Sequence, residues 1–164
     1  MDKKVLLINT TYSNYWVRRK EPMLGLPLGL LSIAAYLKSK GIDARVVDAM
    51  VDKNYLRSIE EALNHTPILW TGISTTTAGL SMAKDVSLLI RNINPAIVIA
   101  WGGVHSTLFP DTVVKSGYAD LAVVGDGEIP ALEISNRVFN GAKDFKNIPQ
   151  VAYLDLNGQV SHVQ

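Results

Sequence analysis

Four short clusters along the chain are rich in hydroxyl side chains, in glycines or in both, which suits contact with a ligand. They are Asn9-Thr10-Thr11-Tyr12, Ser74-Thr75-Thr76-Thr77, Gly102-Gly103-Val104-His105-Ser106-Thr107 and Gly125-Asp126-Gly127-Glu128. Glycine lets a backbone come close to a flat or elongated molecule because no Cβ intervenes, and hydroxyls both donate and accept hydrogen bonds. Each cluster alone has a plainer explanation. The Ser-Thr run can cap a helix, Gly102-Gly103 can satisfy a turn, and Glu128 suits the first turn of a helix through the helix dipole. Their recurrence at successive positions is what points to a ligand cleft.

Other chemistries are absent from the sequence. With no cysteine, the chain holds no disulfide, thiolate zinc site, cysteine nucleophile or cysteine-ligated iron–sulfur cluster. No Gly-x-x-x-x-Gly-Lys-Ser/Thr occurs, nor Gly-x-Gly-x-x-Gly after the first apolar run, which excludes a P-loop hydrolase and disfavours a dinucleotide site. A phospho-acceptor receiver domain needs carboxylates where this chain has Asn9 and Ser74. An FMN-binding flavodoxin-like site stays open as an alternative: Thr10, Thr11 and Ser13 supply hydroxyls, but the next glycine is Gly25. Of the three histidines, His65 falls at a helix end and His162 in a terminal, solvated segment, while His105 lies inside the expected cleft. No histidine or carboxylate pair has metal-ligand spacing, so no metal site and no catalytic residue is assigned.

The elements that must position these clusters follow from periodicity. Short β-branched runs alternate with segments of helical period, the pattern of a parallel sheet covered by helices. Strands are predicted at 4–9, 44–48, 68–73, 97–101 and 121–124, and helices at 28–40, 55–64, 78–93, 110–117 and 129–140. The first helix puts Leu30, Ile33, Ala34 and Leu37 on one face and stops at Gly41. Each cluster then falls after a strand, where open parallel sheets bind ligands. The long stretch from Ser13 to Leu24, with Tyr15, Trp16, Arg18, Arg19 and Lys20, is uncommon in so compact a domain and reads as functional or mobile. After Pro149, Asn157-Gly158 between two extended runs predicts a β-hairpin appended to the last βα unit.

The 48% apolar content of these 164 residues suits one folded domain, and 16 Lys+Arg against 15 Asp+Glu give no electrostatic reason for a nucleic-acid or membrane partner. The apolar run Val5–Ile8 is too short for an export signal or a membrane span, so a cytoplasmic location is expected.

Taken in order, Pro27-Leu28-Gly29-Leu30-Leu31-Ser32-Ile33-Ala34-Ala35-Tyr36-Leu37, Gly41, Val46-Val47-Asp48, Gly102-Gly103-Val104-His105-Ser106-Thr107 with Pro110, Ala119-Asp120 and Gly125-Asp126-Gly127-Glu128 resemble the N-terminal cobalamin-binding domain of cobalamin-dependent radical S-adenosylmethionine enzymes. The resemblance spans about Lys4 to Val163. It implies a flavodoxin-like, Rossmann-like three-layer α/β domain whose five-stranded parallel sheet has the order 2-1-3-4-5. Cobalamin would sit at the strand carboxyl ends. Ser74, Thr75, Thr76, Thr77, Gly102 and Gly103 would line its nucleotide tail, with Val104 and His105 in the same loop, and Gly125, Asp126, Gly127 and Glu128 would flank it. Thr10, Thr11, Tyr12, Leu24 and Gly25 would face the corrin ring.

One departure matters. Many other cobalamin proteins carry Asp-x-His-x-x-Gly after the first strand, whose histidine ligates cobalt; residues 10–25 here contain no histidine. The resemblance therefore implies cobalamin bound without a histidine lower ligand. It also implies a 4Fe-4S cluster and S-adenosylmethionine held by a radical domain outside these residues, with 1–147 as the cobalamin-binding domain and 148–164 as a hairpin and linker toward it. The parent enzyme is expected to be a methyltransferase acting on an unactivated carbon or phosphorus centre. A cofactor-free docking scaffold of the same family is the alternative.

Overall fold

The computed structural model describes residues 4–11, 25–142 and 144–163. Strands β1 (Lys4–Asn9), β2 (Asp43–Asp48), β3 (Ile68–Ser74), β4 (Ile99–Gly102) and β5 (Leu121–Val123) are parallel, in the spatial order β2-β1-β3-β4-β5. Val5, Leu6, Leu7 and Ile8 are all buried, as a central strand covered on both faces requires.

The terminal hairpin departs from the expectation of an appended unit. Strands β6 (Val151–Leu154) and β7 (Val160–Val163) pair antiparallel, and β6 pairs with β5, so the sheet has seven strands. A three-residue β5 leaves backbone donors and acceptors along its outer side, and β6 satisfies them through the register Leu121↔Tyr153 to Val123↔Val151.

Helices α1 (Leu28–Ser39) and α6 (Glu128–Phe139) cover one face; α2 (Tyr55–His65), α3 (Leu80–Ile93) and α5 (Pro110–Lys115) cover the other. The segment expected as one helix from Pro110 is preceded by a separate helix α4 (Val104–Leu108), with Phe109 between them. Helix α3 begins two residues later than expected, after a 3-10 turn at Thr77–Gly79, and no side chain of the Ser-Thr run caps it. On α2, Ile59 and Ala62 carry the buried face, while Leu56 is exposed.

Each face of the sheet is pinned to a helix by a buried indole. Trp70 Nε1–H donates to Ser135 Oγ of α6 at 2.8 Å, and Trp101 Nε1–H donates to Ser87 Oγ of α3 at 3.0 Å. A buried indole N–H left unpaired costs about 1–3 kcal/mol, so these serines are structural partners of the tryptophans.

Below the sheet, the Arg91 guanidinium donates to both oxygens of Asp120 at 2.6 Å and to Ile97 O at 2.5 Å, while Ile99 N–H donates to Asp120 Oδ2 at 2.8 Å. This ties the end of α3 to the starts of β4 and β5. Asp120→Ala leaves the Ile99 amide without its acceptor and the Arg91 guanidinium with only its carbonyl partners, and a loss of about 2 kcal/mol is expected as a lower denaturant midpoint at unchanged m-value.

Burial, and then the nearby Asp85 carboxylate, raise the Tyr55 phenol above its ordinary value of 10.0. The folded state thus favours the neutral phenol. The stability this contributes is complete below the ordinary phenol range and falls as pH rises through it, because the unfolded chain ionises first. In unfolding titrations above about pH 10, Tyr55→Phe is expected to lose less stability than the unaltered protein.

Candidate functional site

The site is a slot between the sheet and helices α1 and α6, opening at the carboxyl ends of β3, β4 and β5, with a volume of about 180 Å3. It arises from missing side chains. Residues at alternate positions of β3 face the same side, and there Trp70, Gly72 and Ser74 line the slot in sequence from its inner end to its mouth. In the register of the sheet, Gly72 lies between Leu7 of β1 and Ala100 of β4, and Ser74 pairs with Gly102. Small residues at Gly72, Ala100 and Gly102 hold the floor low. A Cβ on Gly72 would lie 2.9 Å from Leu7 Cδ2 and 3.1 Å from Trp70 Cζ3.

The walls come from the two helices. Gly29, Leu30 and Ile33 line the α1 side, and Gly127, Glu128 and Ala131 the α6 side. Ser32 Oγ–H donates to Glu128 Oε1 at 2.5 Å, bridging the helices. Ile33 packs so closely that a Cβ on Gly127 would meet its Cδ1 at 2.6 Å.

The mouth is formed by laced loops. Gly103 has φ +86°, and a Cβ there would stand 2.8 Å from Thr75 O. Only glycine takes this conformation freely, and it permits Thr75 N–H to donate to Gly102 O at 2.8 Å and His105 N–H to donate to Thr75 O at 3.2 Å. Thr107 Oγ1 accepts from Gly125 N–H at 3.0 Å, which joins the loop after β4 to the loop after β5.

Of the sequence-predicted residues, Ser74, Gly102, Gly103, Gly125, Asp126, Gly127 and Glu128 meet around this slot. Others point elsewhere. Thr10 Oγ1–H donates to Ser74 O at 2.8 Å, and Thr11 N–H donates to Met82 Sδ at 3.4 Å; both threonines are buried and stitch β1 to its neighbours. Thr75 is buried, with its hydroxyl donating to Gly102 O at 3.1 Å. Thr76, Thr77, Val104 and Gly25 are exposed. Tyr12 and Leu24 lie outside the described residues.

His105 is turned away from the slot. Its Nδ1 shares a 3.1 Å hydrogen bond with Thr77 Oγ1, its ring packs 5.1 Å from that of Phe109, and it lines a hollow on the opposite face with Trp101 and Tyr118. His162 is exposed, as expected, and contacts Asp111 Oδ1 of α5 at 2.7 Å through Nε2.

The lining residues that sequence reasoning missed come from the strands and helices themselves, among them Leu7, Trp70, Gly72, Ala100 and Ala131. One signal was present. Glycine in the middle of an apolar strand marks a close approach of a ligand or another backbone, and Gly72 has that position.

Strand order and slot together define an open α/β domain of the class that binds ligands beyond the carboxyl ends of its strands. The family model for the B12 binding domain matches residues 17–135, more than half of the chain, and the chain belongs to that family. An uncharacterized methyltransferase, PH0819, of Pyrococcus horikoshii is 26% identical over 145 residues, covering 88% of this chain and 31% of that protein. The anaerobic magnesium-protoporphyrin IX monomethyl ester cyclase of Synechocystis is 31% identical over 145 residues, covering 81% of this chain and 28% of the cyclase. The cytidylyl-2-hydroxyethylphosphonate methyltransferase of Streptomyces wedmorensis is 26% identical, with coverages of 96% and 32%. The chain thus spans about a third or less of these curated relatives. Among solved structures, the cobalamin-dependent S-adenosylmethionine radical enzyme OxsB with aqua-cobalamin bound superposes with a TM-score of 0.78 at 20% identity, over 98% of this chain and 22% of OxsB, which shows a shared fold.

Proposed function

We propose that this chain binds cobalamin at the carboxyl ends of β1, β3, β4 and β5, with the nucleotide tail entering the slot base first. The observation that carries this reading is the row Gly72, Ala100 and Gly102 under the slot: at Gly102 a Cβ would meet nothing nearer than Val123 Cβ at 3.8 Å, so glycine there keeps an apolar hollow open. A flat aromatic base suits an apolar slot of this shape, and the Ser74 hydroxyl with the backbone of Gly103 and Gly125 at the mouth suits the polar remainder of the tail. Asp126, Gly127 and Glu128 flank it. In this reading the corrin ring stays outside, over the loops that carry Thr10, Thr11, Tyr12, Leu24 and Gly25.

The segment after β1 has no histidine, so that loop offers cobalt no imidazole from below. When bound, cobalamin supplies a cobalt centre for group transfer; the chain itself binds the tail, orients it and excludes water from it. The parent protein in this reading is a radical S-adenosylmethionine enzyme, a methyltransferase, whose 4Fe-4S cluster and S-adenosylmethionine are held outside these residues. Supporting this, the chain spans only a part of relatives that include named methyltransferases. Residues 148–164 would lead toward that second domain. The setting we infer is cytoplasmic: Val5–Ile8 forms a buried central strand, and no helix among the described residues is long and apolar enough to cross a membrane.

The test is direct. Protein incubated with hydroxocobalamin and separated from free cofactor is expected to retain corrin absorbance near one equivalent, and to stay colourless after the same treatment with FMN. No retained corrin, with a thermal midpoint unmoved by excess cobalamin, would favour the cofactor-free scaffold instead.

A further inference from the structure

The inner end of the slot is closed by Trp70, with the end of Leu7 packed beside it. Trp70 is 2% exposed, and the six-membered edge of its indole lies directly beneath the vacant Cβ position of Gly72, 3.1 Å away at Cζ3 and 3.5 Å at Cη2. The ring is not free to swing aside. Its Nε1–H donates to Ser135 Oγ at 2.8 Å, and Ser135 Oγ–H in turn donates to Ala131 O at 2.7 Å, on the helix that forms the slot's wall. Ser135 is fully buried, so rotating the indole would strand its N–H in an apolar interior. The indole edge reaches back to Gly72, so the open run of β3 from Ser74 at the mouth to that edge is two residues, roughly 7 Å. A protein interior is close-packed, and a wall held by both packing and a hydrogen bond does not yield to an extra ring.

We propose that Trp70 sets the length of the slot and makes this chain select corrinoids by the size of the lower base, accepting a two-ring base such as dimethylbenzimidazole and rejecting a base longer by one fused ring. The inference rests on the cobalamin reading above and adds to it a discrimination among corrinoids. Ser135 is the positioning residue that keeps the indole edge facing the mouth. The selection concerns the tail alone, so it is independent of what the cobalt centre carries.

The experiment measures dissociation constants, by the change in visible spectrum, for cobinamide (which has no nucleotide tail), hydroxocobalamin and a naphthimidazolyl corrinoid with a three-ring base. The unaltered protein is expected to bind cobalamin at least tenfold tighter than the other two. Trp70→Leu is expected to bring the naphthimidazolyl form to within a few-fold of cobalamin. Because that variant empties a packed core and can fail to fold, Trp70→Phe serves as the second: it keeps most of the ring, loses the Ser135 bond, and should narrow the difference partway. Equal binding of the two-ring and three-ring forms by the unaltered protein would overturn the stopper while leaving cobalamin binding intact. Cobinamide binding as tightly as cobalamin would overturn it too, by showing that the tail stays outside. Binding of none of the three would remove the functional reading itself.

Discussion

Gly72→Val is expected to abolish cobalamin retention in a protein that still folds. The glycine sits in the middle of β3, and a Cβ at this position already falls at 2.9 Å from Leu7 Cδ2 and 3.1 Å from Trp70 Cζ3; two further methyl carbons have nowhere to go but into the slot. The contacts on the Leu7 side are with the end of a flexible side chain, and valine has the β-branched shape that strands accept, so the overpacking costs about 1–2 kcal/mol and not the fold. What is lost is the burial of an aromatic base. At about 25 cal/mol per Å2, a two-ring base is worth roughly 3 kcal/mol, or about a hundredfold in affinity. Cobalamin titration of the variant should show that loss, while its far-ultraviolet dichroism stays unchanged. Cobinamide affinity should move little, since it has no base to exclude.

Gly103→Ala is the second large effect, and here the loss is of stability. At φ +86° an L-residue costs about 1–2 kcal/mol before any contact is considered. The added Cβ would then stand 2.8 Å from Thr75 O and 3.0 Å from Thr75 N, both backbone atoms of a loop held by its own hydrogen bonds. A total of about 3 kcal/mol is expected. Gly41→Ala provides the comparison, because Gly41 has φ +79° with nothing within 4 Å of its Cβ position, and should cost only about 1 kcal/mol. Equal losses at the two positions, measured by denaturant unfolding, would show that the crowding at Thr75 contributes nothing.

Legibility in the sequence followed a physical divide. Features written in local patterns were readable: β1 from a four-residue apolar run, α1 from its spacing and the stop at Gly41, the hairpin from Asn157-Gly158, and the loop glycines at 102, 103, 125 and 127 from their positions after strands. Features set by side-chain direction were not. In a strand buried on both faces, nothing in β3 says whether Trp70 and Gly72 face α6 or Trp101's side of the sheet, because apolar residues occupy both. The same limit hid the turn of His105 to the far face, where Thr77 takes its ring nitrogen. Helix α4 escaped notice because a glycine pair followed by five residues reads as loop, while Pro110 announces the helix after it. The Ser-Thr run was legible as a site or a cap; its buried member, Thr75, instead donates its hydroxyl to the neighbouring strand end.

The hairpin β6–β7 has a bearing on colloidal behaviour. A parallel sheet that stopped at β5 would present a bare ladder edge, the kind of template on which chains add to one another. With the hairpin in place, the outermost strand is β7, four residues long and fastened through His162 to Asp111 on α5. Any recombinant boundary drawn before Val151 would remove that guard, and the product would be prone to self-association for reasons unrelated to its ligand.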